Sequence, residues 1–450
     1  MKKLVAGLLT AVALLAMSAC GADQKNTAQT SSSTKESAEV SSGASEQVYT
    51  DPKEMKESYD VVIIGAGGAG MAAAIEAKDA GLNPVILEKM PVAGGNTSKS
   101  SSGMNASETK FQKEEGIKDS NDAFYEETLK GGGGTNDKEM LRYFVDHSAD
   151  AVDWLDQNGI KLDNLTITGG MSEKRTHRPS DGSAIGGYLV EGLLNNVHER
   201  EIPIFVNADV TDIKKNGETV NEVTVHVQGE EPKEVTGKAI VVTTGGFGAS
   251  KEFIEKYRPD LADYITTNQE GSTGDGITMI EKLGGQTVDM DKIQIHPTVQ
   301  QDEGVLIGEV VRGEGAILVD QEGKRFVNEM DTRDKVSAAI TALPEKSAYL
   351  IFDQGVRDRA TAMEHDLSSP NYYAIKIAPG IHYTMGGVKI NTNTEVLDKE
   401  NQPIRGLYAA GEVTGGLHGN NRIGGNSVAE IIIFGRQAGI QAARFASENE

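Results

Sequence analysis

Three stretches of the 450-residue sequence predict an α/β fold, a Rossmann-like domain interrupted by an inserted α+β domain. The first is residues 59–88, which read as strand, glycine loop, helix and strand. The second is the apolar run Ala239 to Thr244, which ends in Gly245-Gly246-Phe247-Gly248. The third is Leu407 to Glu412, which returns the chain to the same sheet after a segment of different character at 291–381. Continuous β-branched runs of this kind are the pattern of parallel strands buried on both faces.

Taken in order, the chain begins outside that fold. Lys2 and Lys3 precede an apolar run from Leu4 to Met17, and Ser18-Ala19-Cys20 follows. The run is too short for an ordinary membrane span and reads as a secretory signal, residues 1–20. Small residues before a cysteine resemble a bacterial lipobox, so Cys20 is expected to carry lipid and anchor the protein to the outer face of the cell membrane. More than one acyl chain there suffices for stable anchoring. Residues 21–57 are rich in Ser, Thr, Ala, Glu and Lys, and predict a flexible tether reaching about 30 Å. No further membrane span and no internal repeat is expected.

Cys20 is the only cysteine, which leaves no attached haem, iron–sulfur cluster or disulfide. Redox chemistry would therefore run on a bound organic cofactor. The formal charge is −23, and loss of Lys2 and Lys3 with the signal makes it −25. Such a balance argues against nucleic acid and against binding anionic lipid except through the anchor. An anionic substrate would need local arginines. His147, His198, His226 and His365 show no metal-ligand spacing, so no metal site is expected; His177 and His418 are weaker candidates for the cleft.

In the body, Tyr59 to Ile64 predicts the first strand, Gly65-Ala66-Gly67-Gly68-Ala69-Gly70 the turn into an Ala-rich helix, and Asn83 to Leu87 the second strand, ending in Glu88. A lone Gly-x-Gly-x-x-Gly string is common in loops. Between a strand and a helix, with an acid about twenty residues on, it specifies a dinucleotide site. Gly65 permits the tight turn, Gly67 lets backbone approach a pyrophosphate, and Gly70 lets helix pack on strand. The pyrophosphate then meets the positive end of the helix, and Glu88 accepts from a ribose diol. The glycine and hydroxyl cluster from Pro91 to Asn105 suits a loop lying on that ligand.

Residues 121–158 predict helices broken at Gly131–Gly134, and Leu189 to Val197 a further amphipathic helix. Strands follow at Ile204–Asn207, Val220–Gln228 and Ala239–Thr244, then a helix after Gly271–Gly276. Residues 58–290 and 382–450 form the nucleotide-binding domain, with 291–381 as the inserted capping domain. A final helix is expected from about Ser427.

With these motifs in place, the chain resembles the soluble fumarate reductase branch of the flavoproteins, which also holds succinate dehydrogenase flavoprotein subunits and urocanate reductases. The resemblance runs over about residues 58–446. It rests on GAGGAG with Glu88, PVAGGNTSKSSSGMN, VVTTGGFG, STGDG, IQIHPT, EVVRGEGAIL, RFVNEMDTRDK, HYTMGG, GLYAAGEVTGG and HGNNRIGGNS. It implies FAD as the dinucleotide. FAD contacts are expected from Gly65, Gly67, Gly68, Ala69, Gly70, Glu88, Lys89, Gly94, Gly95, Asn96, Thr97, Ser102, Gly103, Thr244, Gly245, Gly246, Asp275, Gly411, Glu412, Asn426 and Ser427. Glu412 matches the acid that contacts the ribityl chain. Succinate dehydrogenases attach FAD through a histidine in the loop matching Gly94 to Gly103; that loop has none here, so noncovalent FAD is expected.

The resemblance further implies reduction of a carbon–carbon double bond conjugated to a carboxylate, most simply fumarate to succinate, by hydride transfer from flavin N5. Arg333 matches the proton donor, fed through Glu309 and Arg312. Arg422, His382, His296, Gly424 and Gly425 match the substrate-binding set. Planar bidentate donors are what carboxylates require. Gly308 stands where dicarboxylate reductases often have threonine, which leaves room for urocanate or an acrylate- or cinnamate-type acid. His296, where urocanate reductases typically have tyrosine, favours a dicarboxylate. Between Asp353 and Asn371 the chain is shorter than its relatives, which raises the alternative of a catalytically impaired flavin electron carrier. Electrons are expected from an external donor protein or a reduced flavin- or quinol-linked carrier.

Overall fold

The computed structural model describes residues 49–359 and 372–449. The expected signal with Cys20, the tether up to residue 48, His365 and most of the shortened stretch after Asp353 lie outside them. Residues 49–57 correct the tether's far end. Thr50 N–H donates to Ile204 O at 2.9 Å, the Thr50 hydroxyl accepts from Ile204 N–H at 3.0 Å, and Ala93 N–H donates to the Tyr49 hydroxyl at 2.9 Å. Met55 is buried. With its backbone paired and an apolar anchor inside, this stretch belongs to the folded body.

The central sheet is built on β1 (Ser58–Ile64), which runs parallel between Lys233–Val242 and β2 (Pro84–Leu87). Ile204–Phe205 extends the sheet beyond β2, and Pro403–Ala409 extends it beyond Lys233–Val242, both in parallel. Val61, Val62, Ile63, Ile240, Val241 and Val242 are wholly buried, which is why these strands carry no polar alternation. A hairpin of Ala208–Asn216 and Thr219–Val227 joins antiparallel through its second strand. Its first strand carries little signal in the sequence because ADVTDIKKN buries only Ala208, Val210 and Ile213 along its length.

Helix α1 (Gly68–Asp79) leaves the tip of β1 and packs beneath the C-terminal helix Asn426–Glu448. Contact between the two is backbone-close. A Cβ on Gly435 would stand 2.6 Å from Ala69 O, and one on Gly439 would stand 2.3 Å from Ala73 O. Gly70 is similarly committed, since its Cβ would lie 2.0 Å from Gly65 O.

Residues beyond 290 build a second, antiparallel sheet in the order Ile293–Gln300, Tyr372–Thr384, Ala348–Asp353, Ile317–Val319. Helix Arg333–Thr341 supplies Val336 and Ile340 to a separate apolar core with Leu318, Leu350, Phe352 and Ile377. The strand Tyr372–Thr384 is continuous with the main body: Ile377 belongs to this core, Ile381 to the larger one. The border expected at 381/382 therefore falls inside a strand, and His382 and Tyr383 sit on its distal end. Among the described residues no helix is long and apolar enough to cross a membrane.

The close helix crossing yields a stability test. Gly439→Val must separate α1 from the C-terminal helix, at about 1–3 kcal/mol for overpacking. Denaturant melts should show that loss; unchanged stability would mean the crossing tolerates a side chain.

Candidate active site

One cleft runs from the glycine turn after β1 to the junction with the second sheet and encloses about 1340 Å³ including its open mouth. Its lining includes Gly65, Gly67, Gly68, Ala69, Glu88 and Lys89, then Gly95, Asn96, Thr97, Ser102, Thr244, Gly245 and Asp275, and Gly411, Glu412 and Ser427. Arg333, His382, Tyr383 and Arg422 line the same cavity. The nucleotide and anion ends predicted from distant motifs are thus one space.

The nucleotide end is braced by its own polar groups. Glu88 accepts from Ala66 N–H at 2.7 Å and Met90 N–H at 2.8 Å, which holds the glycine turn against β2. Burial raises its carboxyl above the ordinary value despite those bonds. Lys89 is tied to Asp275 at 2.5 Å and to the Thr273 hydroxyl at 2.6 Å. Asn96 donates to Asn268 Oδ1 at 2.6 Å and to Glu412 Oε2 at 3.3 Å. Glu412 also accepts from Thr384 N–H at 2.9 Å, and burial pushes its carboxyl up.

Several groups in this half lack what a ligand would supply. Gly67 caps α1 without a side-chain hydrogen bond, and a Cβ there would meet only the Thr97 hydroxyl, at 3.7 Å. The hydroxyl of Thr244 is buried with no partner among the described residues, although it lines the cleft. Open backbone at a helix N-terminus and an orphaned hydroxyl fit the phosphates and polar chain of a dinucleotide.

Some residues expected to touch the cofactor stand behind the wall instead. Gly70 packs on Gly65, Gly94 donates its N–H to Ala66 O at 2.9 Å, and Gly103 lies against His177 O. Gly246 lies against the Thr384 hydroxyl and Glu412. Asn426 accepts from Asn105 Nδ2 at 2.8 Å in the core, and Gly425 abuts the same Asn105. These positions need small or amide side chains because backbone or buried amide comes close, which a motif cannot separate from ligand contact.

At the other end three buried guanidinium groups gather around one carboxylate. Arg333 Nε and Nη2 donate to the two oxygens of Glu309 at 2.8 and 3.3 Å, and Arg312 Nη2 stands 3.6 Å from Glu309 Oε1. Gly424 lies beside this pair, since a Cβ on it would be 2.8 Å from Glu309 Oε2. Arg422 has no carboxylate partner among the described residues. Burial alone would raise Glu309, but Arg333, then Arg312 and Arg422, bring it down to about 2. Burial and repulsion from Arg333 lower Arg422 to about 10, so it stays charged at neutral pH.

The two histidines complete this end, with rings 5.3 Å apart. Thr298 N–H donates to His296 Nδ1 at 3.3 Å, which leaves the ring proton on Nε2, a buried atom without a partner among the described residues. His382 Nδ1 pairs with the Thr267 hydroxyl at 2.8 Å. Burial, then the arginine charges, holds His296 well below the usual imidazole range; burial, then Arg333, does the same for His382. His177 is enclosed elsewhere, bonded to Thr109 and Arg175 O. His418 stands behind the wall, bonded to Glu430.

Gln294 lies within the IQIHPT stretch, but nothing in the sequence marks it as part of the site. It accepts from Arg333 Nη1 at 3.0 Å and donates to Arg422 O at 2.7 Å, so it joins the two arginine-bearing segments. It precedes His296 by two residues on one strand, with a register shift after Gln294 that interrupts the regular alternation. Tyr383 and Thr267 carry no such mark either.

Parallel sheet, glycine turn and elongated cleft define a flavin-dinucleotide oxidoreductase. The model of the FAD binding domain family matches residues 60–428. The chain is 49% identical to NADH:fumarate oxidoreductase of Klebsiella pneumoniae (strain 342), over 87% of this chain and 48% of that protein, about half its length. It is 39% identical to fumarate reductase (cytochrome) of Shewanella frigidimarina, over 92% of this chain and 82% of that one. The solved open conformation of a flavocytochrome c3 fumarate reductase superposes with a TM-score of 0.78 at 37% identity, covering 88% of this chain and 79% of the other. The chain belongs to the FAD-binding flavoprotein family that includes these fumarate reductases, and its cofactor is FAD.

The neutral histidines set a pH dependence. An unfolded histidine takes up a proton near pH 6.5, whereas folded His296 and His382 resist it. Their contribution is therefore complete above about pH 7 and falls as pH drops through about 6.5. Melting temperature followed from about pH 7.5 to 5.5 should decline, and less so in a His296→Asn/His382→Asn double variant. Equal declines would place the titration elsewhere.

Proposed function

We propose that the protein reduces a small unsaturated dicarboxylate, fumarate, to succinate. The observation that carries this reading is the excess of buried positive charge at one end of the cleft: Arg312 and Arg333 against Glu309, and Arg422 with no carboxylate partner among the described residues. An uncompensated cluster of this kind favours an anion, and planar forks favour carboxylates.

Reduced FAD supplies the hydride for one alkene carbon. The remaining work falls to side chains of this chain. Arg422 and His382 grip one carboxylate, and His296, its proton on Nε2, donates to the other. Grip at both ends holds the alkene flat and polarises it, an orientation and electrostatic effect. Arg333 gives the proton to the second alkene carbon. Glu309, bound to Arg333 at 2.8 Å and 3.6 Å from Arg312, passes a replacement proton inward and keeps the donor cationic beside an anion. Glu309 is also the least buried of the three, so the relay has an outlet toward solvent.

The further parts of the reading concern setting rather than chemistry. FAD is held noncovalently, since Thr97 and its neighbours in the Gly94–Gly103 loop offer no histidine. The apolar run Leu4–Met17 and Ser18-Ala19-Cys20 support export and lipid anchoring at the outer face of the membrane. Electrons come from a separate reduced carrier.

Anaerobically reduced holoprotein should reoxidise when fumarate is added; flavin that stays reduced with fumarate would sink the reading, and reoxidation by urocanate or acrylate instead would make the substrate another enoate. Arg333→Ala should keep FAD and lose about 10²–10⁴ of turnover, the range for a lost general acid. Acid precipitation should release all of the flavin into the supernatant, and a yellow pellet would show a covalent bond.

A further inference from the structure

Arg422 is buried in the cleft wall, yet little holds it. Its Nη1 donates to Ile423 O at 3.2 Å, and its buried Nε has no partner among the described residues. What it does have is a ring: its Cζ lies 4.2 Å from the centroid of Tyr383. Tyr383 is fixed from behind. Its hydroxyl donates to Glu430 Oε2 at 2.5 Å, and the same oxygen pairs with His418 Nε2 at 2.9 Å. The His418 ring stands edge-on to Tyr383, centroids 5.5 Å apart at 80°. Glu430 and His418 are buried and serve none of the steps above.

We propose that Tyr383, clamped by Glu430 and His418, is a positioning residue that seats Arg422 on its ring face and leaves the in-plane N–H groups free for a substrate carboxylate. This rests on the reading of the site as an enoate reductase. A carboxylate placed beside Arg422 would occupy the paired N–H groups that a substrate carboxylate needs. A ring face attracts the cation from above its plane and takes none of them. The seat matters because Arg333 repels Arg422 across the same small volume. Glu412, on the wall of the same cleft, adds a favourable charge to Arg422 without a hydrogen bond to its donors.

The inference is tested on the FAD-loaded protein with malonate, a saturated dicarboxylate that cannot be reduced, titrated by its effect on the flavin absorption spectrum. Tyr383 is replaced by Phe and then by Phe carrying successive ring fluorines, which keep the shape and drain the ring face. Malonate Kd should climb with each fluorine, by about thirtyfold across the series, while FAD content and melting temperature stay near those of Tyr383→Phe. Tyr383→Leu, if it folds, should bind no better than the most fluorinated variant. A flat series would overturn the proposal, and with Arg422→Ala abolishing binding it would do so while leaving the site reading intact. If Arg422→Ala binds malonate as tightly as wild type, the site reading fails and carries this inference with it.

Discussion

Two buried guanidinium groups, Arg333 and Arg312, lean on the carboxylate of Glu309 while a third, Arg422, has no carboxylate partner among the described residues, and much of the fold makes that arrangement tolerable. Buried charge is expensive unless paired and hydrogen-bonded. Arg333 is paired with Glu309, Arg312 leans on the same carboxylate, and Arg422 is left to a ring face and one carbonyl. The imbalance is expressed in the neighbours. Glu309 rests ionised at ordinary pH, and His296 and His382 rest neutral. A site so biased is incomplete without an anion, and the cost of assembling it is met elsewhere in the fold.

The fold meets it through rigid supports from several directions. Arg422 lies on the loop that leads into the C-terminal helix, whose N-terminal turn is tied to Asn105. That helix presses backbone-close on α1, so the loop bearing the arginine and the turn facing the dinucleotide share one foundation. Arg333 opens a helix of the second sheet's core, and Gln294 spans the gap between them with hydrogen bonds to both segments. His382 and Tyr383 ride on the strand that begins in one core and ends in the other. Relative movement of the two cores would therefore change the arginine spacing and the histidine pair together, so cleft closure and catalytic alignment form one mechanical problem.

Legibility followed the range of the physics. The strand, glycine turn and helix of residues 59–79 are local, and period, turn chemistry and cap geometry announce them without reference to the rest of the chain. The polar first strand of the 208–227 hairpin was not legible, because its partner supplies the pairing that its own residues do not advertise. In the site, Arg333, Arg422, His296 and His382 stood out by their motifs, but motifs placed Gly103, Gly246 and Asn426 on the ligand when they support the wall behind it. A glycine spared for backbone contact and a glycine spared for a cofactor look the same in one dimension.

What the sequence determined by itself was the kind of chemistry: a dinucleotide turn with its acid, a chain with a single cysteine at position 20, and arginines and histidines suited to carboxylates. Those follow from residue identity and short spacing, which survive without coordinates. Only the tertiary structure decided that Arg333 and Arg422, 89 positions apart in number, line one cavity, and that Tyr383 and Gln294 hold them there. Charge balance in a cavity depends on which distant groups arrive and which do not, and that is a property of packing in three dimensions.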